Sequence, residues 1–181
     1  MCGKRITKLE AAKRQMDEAI RLFFERRDCV ATHSLASAAA QVLSDLCDAK
    51  GIPSPIRGAG VIKEKHRKEW LSRLKAAENF FKHGDRDSEG TLEFRPKQTE
   101  GMLFDATYMY ASLTKRQTYA GAVFQSWFFL KHPDFLLDAN LKQALLTQAN
   151  RLQVTTDDWD LFADLLKDRE DLPTKILEVF D

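Results

Sequence analysis

Apolar residues recur every three or four positions along most of this 181-residue chain. In the first such segment they are Leu9, Ala12, Met16, Ile20, Phe23 and Phe24. This spacing places them on one face of an α-helix, whereas a half-buried strand alternates apolar and polar residues. Only 8 Gly and 5 Pro are present, too few for the many turns of a β-sandwich or barrel. The pattern therefore predicts an all-α fold, a helical bundle.

The first two helices form the predicted framework of that bundle. Thr7 and Glu10 have the spacing of a capping box, which predicts a first helix over residues 8–26. A second helix is predicted over residues 30–50 and ends at a glycine. Because the link between these two long helices is short, we expect an antiparallel helix hairpin over residues 7–51.

The remaining sequence predicts about five further helices. Residues 51–60 hold two Pro and three Gly and are predicted to form a loop, followed by the rest of the bundle at 61–181. The predicted elements are helices at about 61–83, 100–112, 114–130, 138–152 and 157–168, an extended piece at 91–94 and a final turn at 174–180. Thr114 and Gln117 have the spacing of a second capping box. We expect a single all-α domain over residues 1–181.

The charge of the chain is unevenly divided. Residues 1–75 carry 16 Lys and Arg against 9 Asp and Glu, or +7, and the remainder carries −6. This asymmetry favours oppositely charged halves that face each other, within the molecule or across a homodimer; binding of a polyanion such as RNA is the alternative. The candidate RNA-binding residues are Lys63, Lys65, Arg67, Lys68 and Arg86. For the cluster at 63–68, the competing interpretation is a solvated helix start.

The sequence gives no sign of a membrane segment or of a metal site. The most apolar run, residues 122–130, is interrupted by Gln125 and Ser126 and is far short of the ~20 residues of a membrane span, so we expect a cytoplasmic protein with no membrane partner. Asp85, Asp87 and Glu89 follow the first half of a calcium loop, but Pro96 stands where a bidentate Glu is required. We expect a charged turn there, and no metal or other cofactor.

A short polar stretch near residue 80 is the most informative part of the sequence. Asn79 and His83 are four residues apart and so share one face of a helix that ends at His83. A helix C-terminus favours protonated His, and such a pair can hold and protonate a phosphate or a ribose hydroxyl. In the competing interpretation, His83 only satisfies the last carbonyls of the helix and Asn79 binds water.

Arg27 and His33 form a second candidate pair at the start of the second helix. A positive helix start lowers the pKa of a His, which favours a neutral general base at His33. Arg27 would stabilise the charge that develops on a phosphorane. If the second and third helices adjoin, Asn79 and His83 would line the same groove. The alternative is that Arg27 caps the first helix and His33 packs at a helix start.

The hairpin followed by Asn79-x-x-x-His83-Gly84 resembles the HEPN family (higher eukaryotes and prokaryotes nucleotide-binding). The signature of that family is an Arg, then a polar residue, then a closing His; here Glu78 stands in the place of the Arg. The resemblance implies an all-α, often dimeric bundle that acts on or binds RNA, as a metal-independent ribonuclease of bacterial defence or stress systems. Residues 79–87 are also similar to uncharacterised bacterial proteins, which implies no function.

Two other functions stay open, and so does the question of whether the protein is an enzyme. Because Glu78 reverses the charge of the signature position, the chain is alternatively a non-catalytic dimeric module that binds a protein partner. A small-molecule pocket among the aromatic residues of the fourth and fifth predicted helices is a third interpretation. Asp105 lies between apolar residues of the fourth helix, where it either pairs with a buried cation or His or is exposed.

Overall fold

The computed structural model describes residues 3–57, 64–85 and 87–167, and between 64 and 73 it describes only the side chains of Lys68 and Ser72. Within these ranges the chain forms seven α-helices and one 3₁₀ turn, with no strand. The helices are α1 (Lys8–Phe24), α2 (Cys29–Asp48), α3 (Glu64–Lys82), α4 (Lys97–Thr114), α5 (Tyr119–Lys131), α6 (Ala139–Leu152) and α7 (Trp159–Lys167), and the 3₁₀ turn is Pro133–Phe135. The predicted all-α class is confirmed. The predicted turn at 174–180 lies outside the described residues.

Helix α1 begins where its capping box predicts. The Glu10 amide donates to Thr7 Oγ1 over 3.2 Å, and the Thr7 amide donates to Glu10 Oε2 over 2.8 Å. The buried residues of α1 are Ala12, Met16, Ala19, Ile20 and Phe24. The helix ends at Phe24, two residues before its predicted end, and Arg26 just beyond it has a left-handed φ of 51°.

Helix α2 buries small side chains together with Leu43. Leu35, Val42 and Leu46 are half-buried, while Ala36 and Ala40 are fully buried. Small residues let neighbouring backbones approach closely, and α2 makes the two largest helix contacts of the described structure, with α1 and α4. The contact with α1 is what an antiparallel hairpin would produce. Gly51 follows α2 with a φ of 67°, as a glycine stop requires.

Two predicted details of the region from 97 to 121 are wrong. Residues 91–95 form neither a helix nor a strand, and α4 begins at Lys97, three residues before its predicted start. The N-cap of α5 is Thr118, whose Oγ1 accepts from the Gly121 amide over 2.9 Å. Thr114 does not cap α5, because its hydroxyl donates to the carbonyl of Tyr110 in α4. Two Thr residues four positions apart compete for the same capping role, and local spacing does not decide between them.

The core lies between α1, α2, α4 and α5, with α7 closing one side. Helix α3 lies outside this core and packs against α2, and α6 packs against α5 without a single buried residue. Of these two peripheral helices, α3 exposes the polar residue Asn79, and α6 exposes the apolar residues Leu141 and Leu152. Helix α3 brings the predicted motif to the start of α2.

Across the part of the chain that is described, every helix is too short or too polar to cross a lipid bilayer.

Candidate functional site

The candidate site lies where the end of α3 meets the starts of α2 and α4. His33 is the central side chain and is fully buried. Its Nδ1 shares a 3.1 Å hydrogen bond with Thr99 Oγ1 of α4. The rings of Phe94 and Phe81 lie edge-on to the imidazole, with centroids 4.9 and 6.0 Å away. His33 therefore joins three segments of the bundle from the inside.

Burial is the main influence on the pKa of His33. Desolvation lowers its pKa below the usual 6.5, and the negative charge of Glu78 opposes this shift. The folded protein therefore binds a proton at His33 less readily than the unfolded chain does. It follows that the contribution of neutral His33 to stability is present above pH 6.5 and is lost as the pH falls through the folded pKa.

Glu78, the residue at the signature Arg position, points inward. Its side chain is 7 % exposed, and its Oε1 accepts from Lys82 Nζ over 2.5 Å. Its Oε2 is buried and has no hydrogen-bond partner among the described residues, and the same holds for His33 Nε2. Leu74, Glu78 and Phe81 share the face of α3 that meets the bundle, because they are spaced four and three residues apart. Glu78 thus belongs to the packed face of α3.

Asn79 and His83 lie on the other side of α3, and both are exposed. The His83 amide donates to the carbonyl of Asn79 over 3.1 Å at the last turn. Gly84 follows without a left-handed φ and so does not form a glycine C-cap. The pair is open to a ligand, but it faces solvent while His33 faces the interior.

The four residues predicted to line one groove therefore do not come together in the structure. Helices α2 and α3 do adjoin, as that prediction assumed. Arg27 is 66 % exposed, and its Nε donates to Glu25 Oε2 over 3.0 Å. His33 is walled off by aromatic rings, so a shared groove with His83 does not exist in this conformation. Asn79 and His83 alone keep the predicted exposure and common face.

The predicted RNA-binding lysines and arginines are only partly described. Lys68 is exposed on α3. Lys65 and Arg67 lie in α3, but their side chains are not described, and Lys63 and Arg86 lie outside the described residues. This basic patch stays a prediction.

The acidic turn after α3 is exposed at Asp85, Asp87 and Glu89. Among the described residues, no three His, Cys, Asp or Glu side chains come together in a way that would hold a metal ion.

A second buried polar group lies on α4. From the sequence, Asp105 was either paired with a buried cation or His or exposed, and the structure shows the buried pair. Asp105 is fully buried; its Oδ1 accepts from Ser54 Oγ over 2.5 Å, and its Oδ2 lies 3.2 Å from Arg57 Nε. These last two atoms are not aligned for a hydrogen bond, so their attraction is ionic. Arg57 also donates to Gln41 Oε1 over 3.1 Å. Burial raises the pKa of Asp105, against the hydrogen bond from Ser54 and the charge of Arg57. The group ties the loop after α2 to α4.

Comparison with known proteins gives no relative of this chain: no protein-family model, no curated protein and no solved structure matches it. Conclusions about function therefore depend on the residues themselves.

Proposed function

We propose that this protein is a non-catalytic helical module that works by binding another macromolecule. The observation that carries this proposal is the inward position of Glu78, buried against the bundle and paired with Lys82. The signature residue it replaces is a cation, and a buried carboxylate provides no positive charge for a phosphate.

The chemistry of metal-independent RNA cleavage supports the same proposal. Cleavage needs a base for the ribose 2′-hydroxyl, an acid for the leaving oxygen and a cation for the phosphorane. Of the predicted set, His33 is buried out of reach of a substrate and Arg27 is paired with Glu25. Of the two His residues in the set, His83 is the one whose side chain is exposed to solvent. A single exposed His without a second exposed His of the set as its partner favours binding over catalysis.

Binding of RNA at the end of α3 is a second candidate function. It is favoured by the exposure of Asn79 and His83 at the end of α3, where the side chain of Lys82 is also 44 % exposed. Under this candidate, RNA affinity falls steeply as salt rises, and His83→Ala weakens binding.

We expect the purified protein to have no ribonuclease activity. Labelled single-stranded RNA is incubated with purified protein in EDTA, and the length of the RNA is read on a denaturing gel. We expect no cleavage above buffer, because the predicted base, His33, is buried and an acid, Glu78, stands in the place of the signature Arg. His132→Ala is a matched control, since His132 is also solvent-accessible but lies after α5. Cleavage that persists in His132→Ala and disappears in His83→Ala, with unchanged helical circular dichroism, would contradict the proposal.

A further inference from the structure

Helix α3 is attached to the bundle without belonging to its core. The described core residues come from α1, α2, α4, α5 and α7, and none of them lies on α3. Among the described side chains of α3, only Ala77 and Glu78 are buried, and Leu74 is half-buried against the core. Because few side chains hold α3 in place, its separation from α2 costs less free energy than the unfolding of the core.

Helix α3 and the loop after it cover His33, a residue of α2. The Phe81 ring of α3 and the Phe94 ring of the loop lie edge-on to the imidazole, and their own centroids are 5.3 Å apart. Behind these rings the imidazole is fully buried. Movement of α3 away from α2 takes Phe81 with it and admits water to His33. Docking of α3 and dehydration of His33 are therefore coupled.

The docked arrangement is unfavourable for a protonated imidazole. His33 Nδ1 is hydrogen-bonded to Thr99, and its Nε2 has no hydrogen-bond partner among the described residues. An imidazolium has two N–H donors, so one of them would be unpaired in this arrangement. A buried charged donor without a partner carries a large desolvation penalty. Once α3 has moved away, water can hydrate both donors.

The charges that α3 brings to the imidazole only partly offset this penalty. The negative charge of Glu78 raises the pKa of His33, but desolvation lowers it by more. Lys82 Nζ is paired with the same carboxylate, which weakens its attraction for a proton on His33. The pKa of His33 is therefore below 6.5 while α3 is docked.

The other described charges on the elements around His33 are exposed or paired elsewhere. They are Glu93 and Arg95 in the loop, which are exposed, Glu100 of α4, which pairs with Lys131, and Asp28 and Arg27 at the start of α2, of which Asp28 caps α2 and Arg27 pairs with Glu25. None of these groups contributes to the shift in the pKa of His33. Glu78 is thus the charge to which a proton on His33 responds within the described chain.

We propose that acid releases α3 from α2 through protonation of His33, while the core of α1, α2, α4, α5 and α7 stays packed. Release uncovers the apolar side chains of Leu74 and Phe81 together with the imidazole. A surface that is closed at neutral pH becomes available as the pH falls. The inference goes beyond the proposed binding function and does not depend on it, because it follows from the burial of His33 under α3.

Uptake of one proton sets the direction and the limit of the effect. His33 has a pKa below 6.5 when α3 is docked and the ordinary value of 6.5 when it is exposed by release. The released state therefore binds the proton more readily, and its population rises as the pH falls below 6.5. The rise is at most about tenfold per pH unit, and it ends below the pKa of the docked state.

Native-state amide hydrogen exchange measures this release helix by helix. A helix detached from the bundle frays, so the amides of released α3 exchange. After correction for intrinsic exchange rates, we expect protection of α3 to fall at least about threefold between about pH 7.5 and about pH 5.5. Protection of α4 and α5 is expected to change less than about twofold over the same range.

Three variants assign the effect to His33. His33→Gln has no titrating group at this position, so protection of α3 is expected to be independent of pH. His83→Gln is the matched control, because His83 follows the last residue of α3 but is exposed, and it should respond to pH like the wild type. Glu78→Gln removes the charge that raises the pKa of His33, so the fall in protection is expected to be as large as in the wild type or larger.

The possible results separate this inference from its alternatives. Protection of α3 that does not change in the wild type, or that rises with acid, overturns it, and a rise would mean that protonated His33 pairs with Glu78 in place. An equal fall in α3, α4 and α5 indicates global unfolding and also overturns it, as does a fall that persists in His33→Gln. If His33→Gln leaves α3 unprotected at every pH, Glu78→Gln decides, and loss of the pH response there overturns the inference. None of these results involves RNA cleavage, which is the result that contradicts the proposed function.

Discussion

Replacement of Asp105 with Ala is expected to lower the free energy of unfolding by about 3–5 kcal/mol, measured by urea denaturation. Asp105 is fully buried and Arg57 is 7 % exposed, so the variant leaves a guanidinium inside the protein without its counter-charge. The Ser54 hydroxyl loses its acceptor at the same time, whereas the Ile56 amide keeps its second acceptor, Ser54 Oγ, 3.2 Å away. The connection between the loop after α2 and α4 depends on this carboxylate.

Two variants check that the loss comes from the unpaired charge. The double variant Arg57→Met and Asp105→Leu removes both charges and is expected to be far less destabilised than Asp105→Ala. Asp134→Ala breaks an ion pair of similar length with Lys142, but on the surface, and is expected to change stability little. An Asp105→Ala variant as stable as Asp134→Ala would show that the buried pair does not support the fold.

Replacement of Trp127 with Ala is expected to be similarly costly, at about 3–5 kcal/mol. Trp127 is fully buried, and its ring centroid lies 5.1 Å from that of Phe23 and 5.5 Å from that of Trp159. Its Nε1 donates to the carbonyl of Thr156 over 3.0 Å, which holds the segment before α7. The variant therefore loses both a large packed ring and a hydrogen bond.

Trp127→Phe separates these two contributions. It retains an aromatic ring and loses the hydrogen bond to Thr156, so we expect a clearly smaller loss than for Trp127→Ala. Phe80→Ala is a surface control, because Phe80 is exposed on α3. Denaturation curves in which Trp127→Ala and Phe80→Ala coincide would contradict this account of the core.

The fold class was predictable because it depends on local signals. The three- and four-residue spacing of apolar side chains can be read from the sequence of each segment alone. The capping box that starts α1 consists of two nearby residues, Thr7 and Glu10. The predicted helix ends were less accurate than the predicted helices. Thr114 and Thr118 are both suitable N-cap residues for α5, and tertiary contacts decide between them. The residues of α2 that are buried depend on its packing against α1 and α4. Small side chains such as Ala36 and Ala40 are buried there because they let the helices approach closely.

The candidate site was predictable only in part. Glu78 lies between Leu74 and Phe81 on the helical stripe of α3, and that spacing was the available signal of its burial. His33 was identified as a neutral His, and burial among Phe81 and Phe94 is the main reason for its low pKa. The pairing of Asp105 with Arg57 joins positions far apart in sequence, and nothing local specifies it.

The most direct test of the account is the titration of His33 by NMR, in the wild type and in Glu78→Gln. If Glu78 faces His33 inside the bundle, removal of its negative charge removes the effect that raises the pKa of the imidazole. We expect a His33 pKa below 6.5 in the wild type and a still lower value in Glu78→Gln. Glu89→Gln, at an exposed acid beyond α3, should leave the titration of His33 unchanged. An identical His33 titration in the wild type and Glu78→Gln would contradict the inward position of Glu78, and with it the argument for a non-catalytic module.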